Sequence, residues 1–180
     1  MRKVSVIFVT LSLTLALFVA GTQAQQDKSK RPSPPAQATV DLGAGKSITV
    51  DYSSPRAKGR KIYGELVPFG KVWRAGANEA TTFVVTADIV VGGSQVPAGS
   101  YTLFTIPEKD KWTLIISKAT GEWGTDYPGP EKDLARIPMK VSSPPAPVEN
   151  FTISFDKAGS GATMNMDWDT TRASVGIAKK

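Results

Sequence analysis

Short segments of alternating or β-branched apolar residues recur along most of the chain from about residue 47 onward. Alternation with a period of two is typical of β-strands, whose successive side chains point to opposite faces of a sheet. Glycine, proline, asparagine and aspartate separate the segments, as they do at turns between strands. The predicted strands are residues 47–52, 81–85, 89–91, 101–106, 112–116, 151–155, 162–168 and 173–177.

This spacing of strands and turns predicts an all-β fold with a single domain, either a β-sandwich or a barrel-like fold of the jelly-roll or Greek-key type. The pair Gly92-Gly93 predicts a tight turn, and residues 107–111 predict a hairpin between two strong strands. The predicted strands leave few segments long enough to form a helix. Only residues 64–72 and 78–81 suit one or two short helical turns.

The N-terminal residues 1–24 have the layout of a secretory signal peptide: a basic start, an apolar run over residues 4–20 and small residues before a cleavage site after Ala24. The alternative is a membrane anchor, because 17 apolar or small residues lie at the lower limit of a membrane-spanning helix. Residues 25–38 predict a disordered Pro-rich tether, and 39–178 the β domain. We expect a periplasmic or secreted protein with no membrane span after cleavage.

The sequence contains no cysteine and no histidine. The usual zinc sites, Ser-His-Asp triads and Cys-His nucleophiles therefore each lack a required residue type. We expect no metal and no cofactor, and the composition favours binding over catalysis. One route to catalysis stays open: Glu79, or Asp167 and Asp169 on either side of Trp168, would supply the carboxylates of a glycan hydrolase.

The net charge of +6 is unevenly distributed. Residues 25–76 have ten basic and four acidic side chains, whereas residues 77–180 have ten basic and twelve acidic ones. The excess of +4 that remains after signal cleavage does not form the basic and aromatic stripe expected of a nucleic-acid-binding surface. We therefore predict no nucleic-acid partner, and expect a polar or anionic small molecule or a glycan instead.

The candidate site combines two polar stretches, residues 53–60 and 73–81. In one interpretation they form the floor of a pocket for an anionic or polyhydroxylated ligand, with Trp73 as a stacking face. In the other they form a structural network in which Glu79 neutralises Arg74. An extended segment 56–60 would place its three basic residues on one face. The candidate ligand-binding residues are Arg56, Lys58, Arg60, Trp73, Arg74, Asn78 and Glu79.

The chain resembles the bacterial family called domain of unknown function 2911. The segments that carry the resemblance are Tyr52–Pro55 with Lys58–Arg60, Ile62–Gly70, Trp73–Thr81 and Ala98–Pro107, and it extends from about Ala38 to Ile177. The resemblance implies an exported and predominantly β protein. It implies no particular reaction, cofactor or ligand, and no catalytic residue is transferred by it.

Three functions compete at this point. The favoured one is a non-catalytic β module outside the cytoplasm that binds a polar or anionic small molecule, a glycan or an envelope component through residues 53–81. The alternatives are the carboxylate-dependent glycan hydrolase and a structural or assembly protein of the cell envelope. An exposed strand edge or a large apolar patch would indicate the last of these. The oligomeric state is not predicted.

Overall fold

The computed structural model describes residues 27–124 and 126–180, and these form one antiparallel sheet of eleven strands. The predicted signal peptide, residues 1–24, lies outside the described residues. Within the described part of the chain, no helix is long and apolar enough to cross a membrane. The strands are β1 Pro35–Gly43, β2 Lys46–Ser53, β3 Thr81–Val85, β4 Ile89–Val91, β5 Ser94–Val96, β6 Gly99–Pro107, β7 Lys111–Ser117, β8 Asp133–Ser142, β9 Val148–Ala158, β10 Gly161–Asp169 and β11 Thr171–Lys179.

The sheet has the order β1-β2-β3-β6-β7-β8-β11-β10-β9 and curls until its two outer strands, β1 and β9, lie against each other. The hairpin β4–β5 pairs with the C-terminal end of β11. Buried and less buried residues alternate along β2, β3 and β11, whereas β6, β7 and β10 contain continuous buried runs, and most buried apolar side chains belong to one core. The all-β, barrel-like, single-sheet architecture confirms the predicted fold class.

All eight predicted strands are present, and three further strands extend the sheet. β1 begins at Pro35, ahead of the predicted domain start at Thr39, because the small residues Ala36 and Ala38 continue its inward-facing series. β8 contains Pro138, which lies opposite Thr113 of β7. β8 pairs with β11 only through residues 140–142, so the missing N–H of Pro138 interrupts no ladder on that side.

The short helical turns lie elsewhere than predicted. Residues 64–72 and 78–80 form turns, bends and isolated bridges in place of helix, and Thr81 begins β3. The 3-10 turns are Lys28–Lys30, where the side chain of Asp27 accepts the N–H of Ser29, and Pro130–Lys132. The polar cap at the first turn and the proline that starts the second suit single turns and not a longer helix.

Residues 27–34, which the sequence assigned to a disordered tether, contact the domain. The carbonyl of Pro34 accepts the N–H of Ser54, and the carbonyl of Ser33 accepts the side-chain amide of Asn78. A polar, proline-rich segment lacks apolar side chains to bury, but hydrogen bonds to a neighbouring loop order it here. This segment therefore borders the candidate site.

One end of the curled sheet carries the aromatic part of the core. Trp112 at the start of β7, Phe151 near the start of β9 and Trp168 near the end of β10 meet there because antiparallel neighbours place these ends side by side. Tyr63 and Trp73 complete the cluster from outside the strands, with ring centroids 4.9 Å apart for Tyr63 and Trp112 and 5.0 Å for Trp73 and Phe151. The long segment between β2 and β3 contributes these two rings.

Candidate functional site

Residues 54–80, between β2 and β3, form one long connection that covers this aromatic end of the sheet. The connection is fixed to β9 on one side by two backbone hydrogen bonds. The N–H of Ala57 donates to the carbonyl of Glu149, and the N–H of Phe151 donates to the carbonyl of Pro55. On the other side Trp73 pairs with Thr105 of β6 through two 2.7 Å hydrogen bonds. Long connections in compact domains are frequently functional, and this one is anchored at both sides of the sheet end.

A cavity of about 300 Å³ lies between the 54–80 connection and the aromatic cluster. Three of its lining residues are cationic, Arg60, Lys71 and Arg74, and none is acidic. We call it the Arg74 cavity. The remaining lining is apolar or small and consists of Ser33, Pro55, Leu66, Val67, Pro68, Val72, Trp73, Gly76, Ala77 and Trp168.

Arg74 is half-buried and lacks a counter-charge. Within the described residues it has no ion pair, and its shielded Nε has no hydrogen-bond partner. Burial lowers the pKa of its guanidinium, because removal from water disfavours the charged form. A buried N–H without a partner is uncommon in proteins and costs free energy, so Arg74 is the residue of the cavity that most needs an acceptor.

Arg60 is oriented by neutral partners. Its Nε donates to the carbonyl of Ala57 at 3.0 Å and its terminal nitrogen to the carbonyl of Arg56 at 2.6 Å. These hydrogen bonds hold the guanidinium in place without neutralising it, and three of its five N–H groups remain for other acceptors. Arg60 therefore brings a fixed positive charge to the edge of the Arg74 cavity.

A second hollow of about 290 Å³ adjoins the cavity. Its lining residues are Pro32, Ser33, Arg56, Lys58 and Arg60, and we call it the Lys58 hollow. The three basic residues meet there as predicted, but through a turn and not through a strand. Lys58 has a φ of 50°, and the N–H of Arg60 closes the turn on the carbonyl of Ala57.

Trp73 occupies a different environment from the one predicted. Only 8% of it is exposed, and its ring stacks on Trp168 at 5.9 Å with an interplanar angle of 17°. The indole is therefore primarily part of the core that supports the cavity wall, since most of its surface already contacts other rings. An open stacking face for a sugar is not formed by Trp73.

Glu79 does not neutralise Arg74, which corrects the structural interpretation of the sequence. One terminal nitrogen of Arg31 lies 2.9 Å from both carboxylate oxygens, and Nζ of Lys28 lies 3.0 Å from one of them. Burial alone would raise the pKa of Glu79, but its own backbone N–H, Arg31 and Lys28 lower the pKa to about 2. Glu79 thus anchors the N-terminal segment and borders a separate hollow with Tyr52.

Asn78 also anchors the N-terminal segment. Its side-chain amide donates to the carbonyl of Ser33, while its own carbonyl accepts the N–H of Gly124. Asn78 and Ala75 have φ values of 56° and 51°, a region that L-residues other than asparagine and aspartate rarely adopt. This local strain turns the chain between Arg74 and Glu79, so that Arg74 lines the Arg74 cavity and Glu79 lines the separate hollow beside Tyr52.

The carboxylates proposed for catalysis lie outside the Arg74 cavity. Asp167 is buried and accepts two hydrogen bonds from the guanidinium of Arg172, one of them 2.7 Å long. Asp169 has a φ of 54° at the turn that leads from β10 into β11. Within residues 27–124 and 126–180, no group of three or more Asp or Glu side chains is placed to hold a metal ion.

Several cavity residues were not among the sequence candidates. In the sequence, Lys71 is one of the ten basic residues of 25–76, and Trp168 stands between two aspartates. Ser33 lies in the predicted tether. The spacing of Lys71 and Arg74 offered a signal, because both flank Trp73 in the same basic stretch, but nothing local indicated that Ser33 would lie against them.

The comparisons with known proteins give one match. The family model described as a protein of unknown function, DUF2911, matches residues 33–177, which is most of the chain and includes both anchors of the 54–80 connection. No curated protein and no solved structure matches the chain. The extent of the family match, across the whole curled sheet and the segment that covers its end, shows that this chain belongs to the DUF2911 family.

Proposed function

We propose that the protein binds a small anionic ligand in the Arg74 cavity and does not convert it. The observation that carries this proposal is the guanidinium of Arg74, half-buried, with a shielded Nε that has no partner among the described residues. An anionic oxygen in the cavity would pair with the terminal nitrogens of the same guanidinium, which are not shielded, and would supply the counter-charge that Arg74 lacks. A charge-assisted hydrogen bond of this kind is about twice as strong as a neutral one.

The lining of the Arg74 cavity supports the same ligand class. Arg60 and Lys71 add two further positive charges without any lining carboxylate to offset them. The apolar side chains of Val67, Val72 and Trp168 reduce water access, and electrostatic attraction is stronger where the dielectric is low. The volume of about 300 Å³ lies at the lower end of the range for small-molecule sites.

A thermal-shift and calorimetric screen tests this proposal. Phosphate, glucuronate and galacturonate are compared with glucose and galactose, which have similar size and no charge. We expect the anions to raise the melting temperature and the neutral sugars to have no effect. Arg74→Met removes the charge and keeps most of the side-chain volume, so it should abolish the response to anions.

Lys109→Met is the control for the loss of one positive charge, because Lys109 lies in the exposed hairpin between β6 and β7 and borders none of these hollows. It should retain the full response to anions. Equal responses to anions in wild-type protein and Arg74→Met, or no response to any anion, would contradict the proposed function.

We also propose that the protein acts in the periplasm or outside the cell. The support is the sequence of residues 1–24, with its basic start, apolar run and small residues before Ala24. Expression in a Gram-negative host followed by cell fractionation and N-terminal sequencing tests this. A periplasmic product that begins at Gln25 is the expected result, and a cytoplasmic product that retains Met1 contradicts it.

A further inference from the structure

The Lys58 hollow is also cationic. Three basic residues, Arg56, Lys58 and Arg60, are among the five that line it, and no acidic residue is. None of the three forms an ion pair with any residue in the described part of the chain. The carboxylate of Glu149 accepts the backbone N–H of Lys58 at 2.8 Å and does not line the hollow. The hollow therefore retains an excess of positive charge.

The guanidinium of Arg56 is held in the same way as that of Arg60. One of its terminal nitrogens lies 2.8 Å from both the carbonyl and the hydroxyl oxygen of Ser54, and that hydroxyl donates in turn to the carbonyl of Phe151. Neutral acceptors fix the position of the cation and leave its charge uncompensated. A preorganised cation of this kind loses less conformational entropy when it binds an anion than a mobile surface lysine does.

The Arg74 cavity and the Lys58 hollow are adjacent, because Ser33 and Arg60 line both of them. Arg60 thus lies between the two cationic groups, with Arg74 and Lys71 on one side and Arg56 and Lys58 on the other. A ligand with a single anionic group can pair with the cations on only one side of Arg60. Two anionic groups joined by an uncharged spacer would satisfy both, and the second contact would then be intramolecular.

We propose that the ligand is a dianion whose two acidic groups are separated by a spacer, with one group in the Arg74 cavity, the other in the Lys58 hollow, and the spacer beside Ser33 and Arg60. This inference rests on the proposed function. Carboxylates and phosphates share the required chemistry, and both linear dicarboxylates and acidic oligosaccharides fit the description.

Calorimetric titration with two series of probes tests the inference. The first series compares α,ω-alkanedicarboxylates from succinate to suberate with monocarboxylates of the same chain length. The second compares galacturonate with its dimer and trimer, which distinguishes an acidic oligosaccharide from a linear dicarboxylate. We expect affinity to rise by at least about tenfold from monoanion to dianion at one optimal spacer length, because the second group binds intramolecularly.

Variants of Lys58 separate the two halves of the site. Lys58→Gln should lower the ratio of dianion to monoanion affinity toward one, and the charge reversal Lys58→Glu should lower it further. Lys109→Gln should leave the ratio unchanged. Lys58 is exposed, so both substitutions are compatible with folding, and their unfolding curves verify this.

The outcomes distinguish this inference from the proposed function. Equal affinities for monoanions and dianions at every length, or a dianion advantage that Lys58→Glu leaves intact, would overturn the two-group ligand while loss of binding in Arg74→Met still supported the anion site. Absence of binding by every anion, or unchanged binding in Arg74→Met, would overturn the proposed function and this inference with it.

Discussion

Arg74 and Glu79 lie five positions apart in the chain and meet opposite electrostatic environments. Glu79 has two cations within 3.0 Å, whereas Arg74 has no described counter-ion and an unpaired Nε. The positive φ values of Ala75 and Asn78 separate the two side chains. A charge kept partly buried without a partner lowers stability, and such costs are typical of residues retained for binding.

Replacement of Arg74 should therefore raise the stability of the ligand-free protein. Arg74→Met exchanges an uncompensated charge for an apolar side chain of similar length, and we expect a gain of about 1 kcal/mol, or about 2–4 °C in melting temperature. Differential scanning calorimetry without anions measures this. Arg172→Met is the contrasting variant, because it breaks the ion pair with buried Asp167 and should destabilise the protein. A lower melting temperature for Arg74→Met would contradict the prediction.

The lowered pKa of Glu79 predicts that the protein loses stability as the pH falls. Its pKa of about 2 in the folded protein lies below the ordinary value of 4.5, so the stabilisation by Arg31 and Lys28 is fully present above pH 4.5 and is lost as the pH falls toward 2. Because Glu79 is partly exposed, we expect Glu79→Gln to cost no more than about 1 kcal/mol at pH 7 and only a small fraction of that at pH 2.

Urea unfolding of wild-type protein and Glu79→Gln at pH 7, 4.5, 3 and 2 measures this convergence. Glu108→Gln removes a carboxylate from an exposed ion pair with Lys111 at 3.6 Å and controls for the loss of one negative charge. A difference between wild type and Glu79→Gln that stays constant across this pH range would show that the ion pairs with Arg31 and Lys28 do not stabilise the fold.

At the scale of the elements, strands with a clear alternation were predictable and strands with mixed signals were not. β6 and β7 are rich in β-branched and aromatic residues, and five polar or turn residues separate them, so the sequence predicts both strands and their hairpin. β8 contains Pro138, which argues against a strand in the middle of a sheet, and its tolerance depends on where β11 stops pairing with β8. Beyond that point, residues 177–179 of β11 pair with β4, a contact between distant parts of the chain that no local pattern reveals.

The hairpin β4–β5 depends on the glycine at its first turn position. Gly92 has a φ of 52°, and a Cβ atom there would collide with the side chain of Ile137 and lie 3.1 Å from Val175. Gly93 has a φ of 88° and no atom within 4 Å of such a Cβ. At position 92, glycine is needed both for its positive φ and because a side chain would not fit. At position 93, it is needed only for its positive φ.

We expect Gly92→Ala to destabilise the protein by about 2–4 kcal/mol and Gly93→Ala by about 1 kcal/mol. The difference measures the steric collision beyond the shared cost of a positive φ. Urea unfolding of the two variants gives both values. Equal losses in the two variants would mean that Ile137 moves aside freely and that the hairpin is not tightly packed on β8.

Part of the candidate site was predictable from the sequence, because its residue types stand out locally. The basic and aromatic residues of the 54–80 connection were evident from composition, and Arg60, Trp73 and Arg74 do share a cavity. Their partners were not evident, because Ser33 and Arg31 belong to a proline-rich segment whose order comes only from tertiary contacts. Spacing alone also suggested an ion pair between Arg74 and Glu79 that the backbone conformation prevents.

For the molecule as a whole, closure of the sheet depends on side chains as well as on strand pairing. β1 and β9 lie against each other, and the buried hydroxyl of Tyr52 accepts the N–H of Ile153 across this junction at 3.1 Å. Burial raises the pKa of the Tyr52 hydroxyl, and the N–H of Ile153 opposes that rise. The first third of the chain is thereby joined directly to its last third.

Tyr52→Phe should therefore destabilise the protein by about 1–3 kcal/mol, because it leaves the buried N–H of Ile153 without an acceptor. Tyr101→Phe is the matched control. Its hydroxyl donates to the carbonyl of the exposed Pro97, which water can satisfy, so the loss should stay below about 1 kcal/mol. Guanidinium unfolding compares the two variants. Similar small losses in both would show that the junction does not depend on this hydrogen bond.

The 54–80 connection separates the residues that hold the core from those that charge the cavity. Its aromatic residues Tyr63 and Trp73 pack in the core, whereas Arg60, Lys71 and Arg74 line the cavity and form no ion pair within the described residues. A change of ligand preference through these three cations therefore leaves the aromatic contacts that support the scaffold in place.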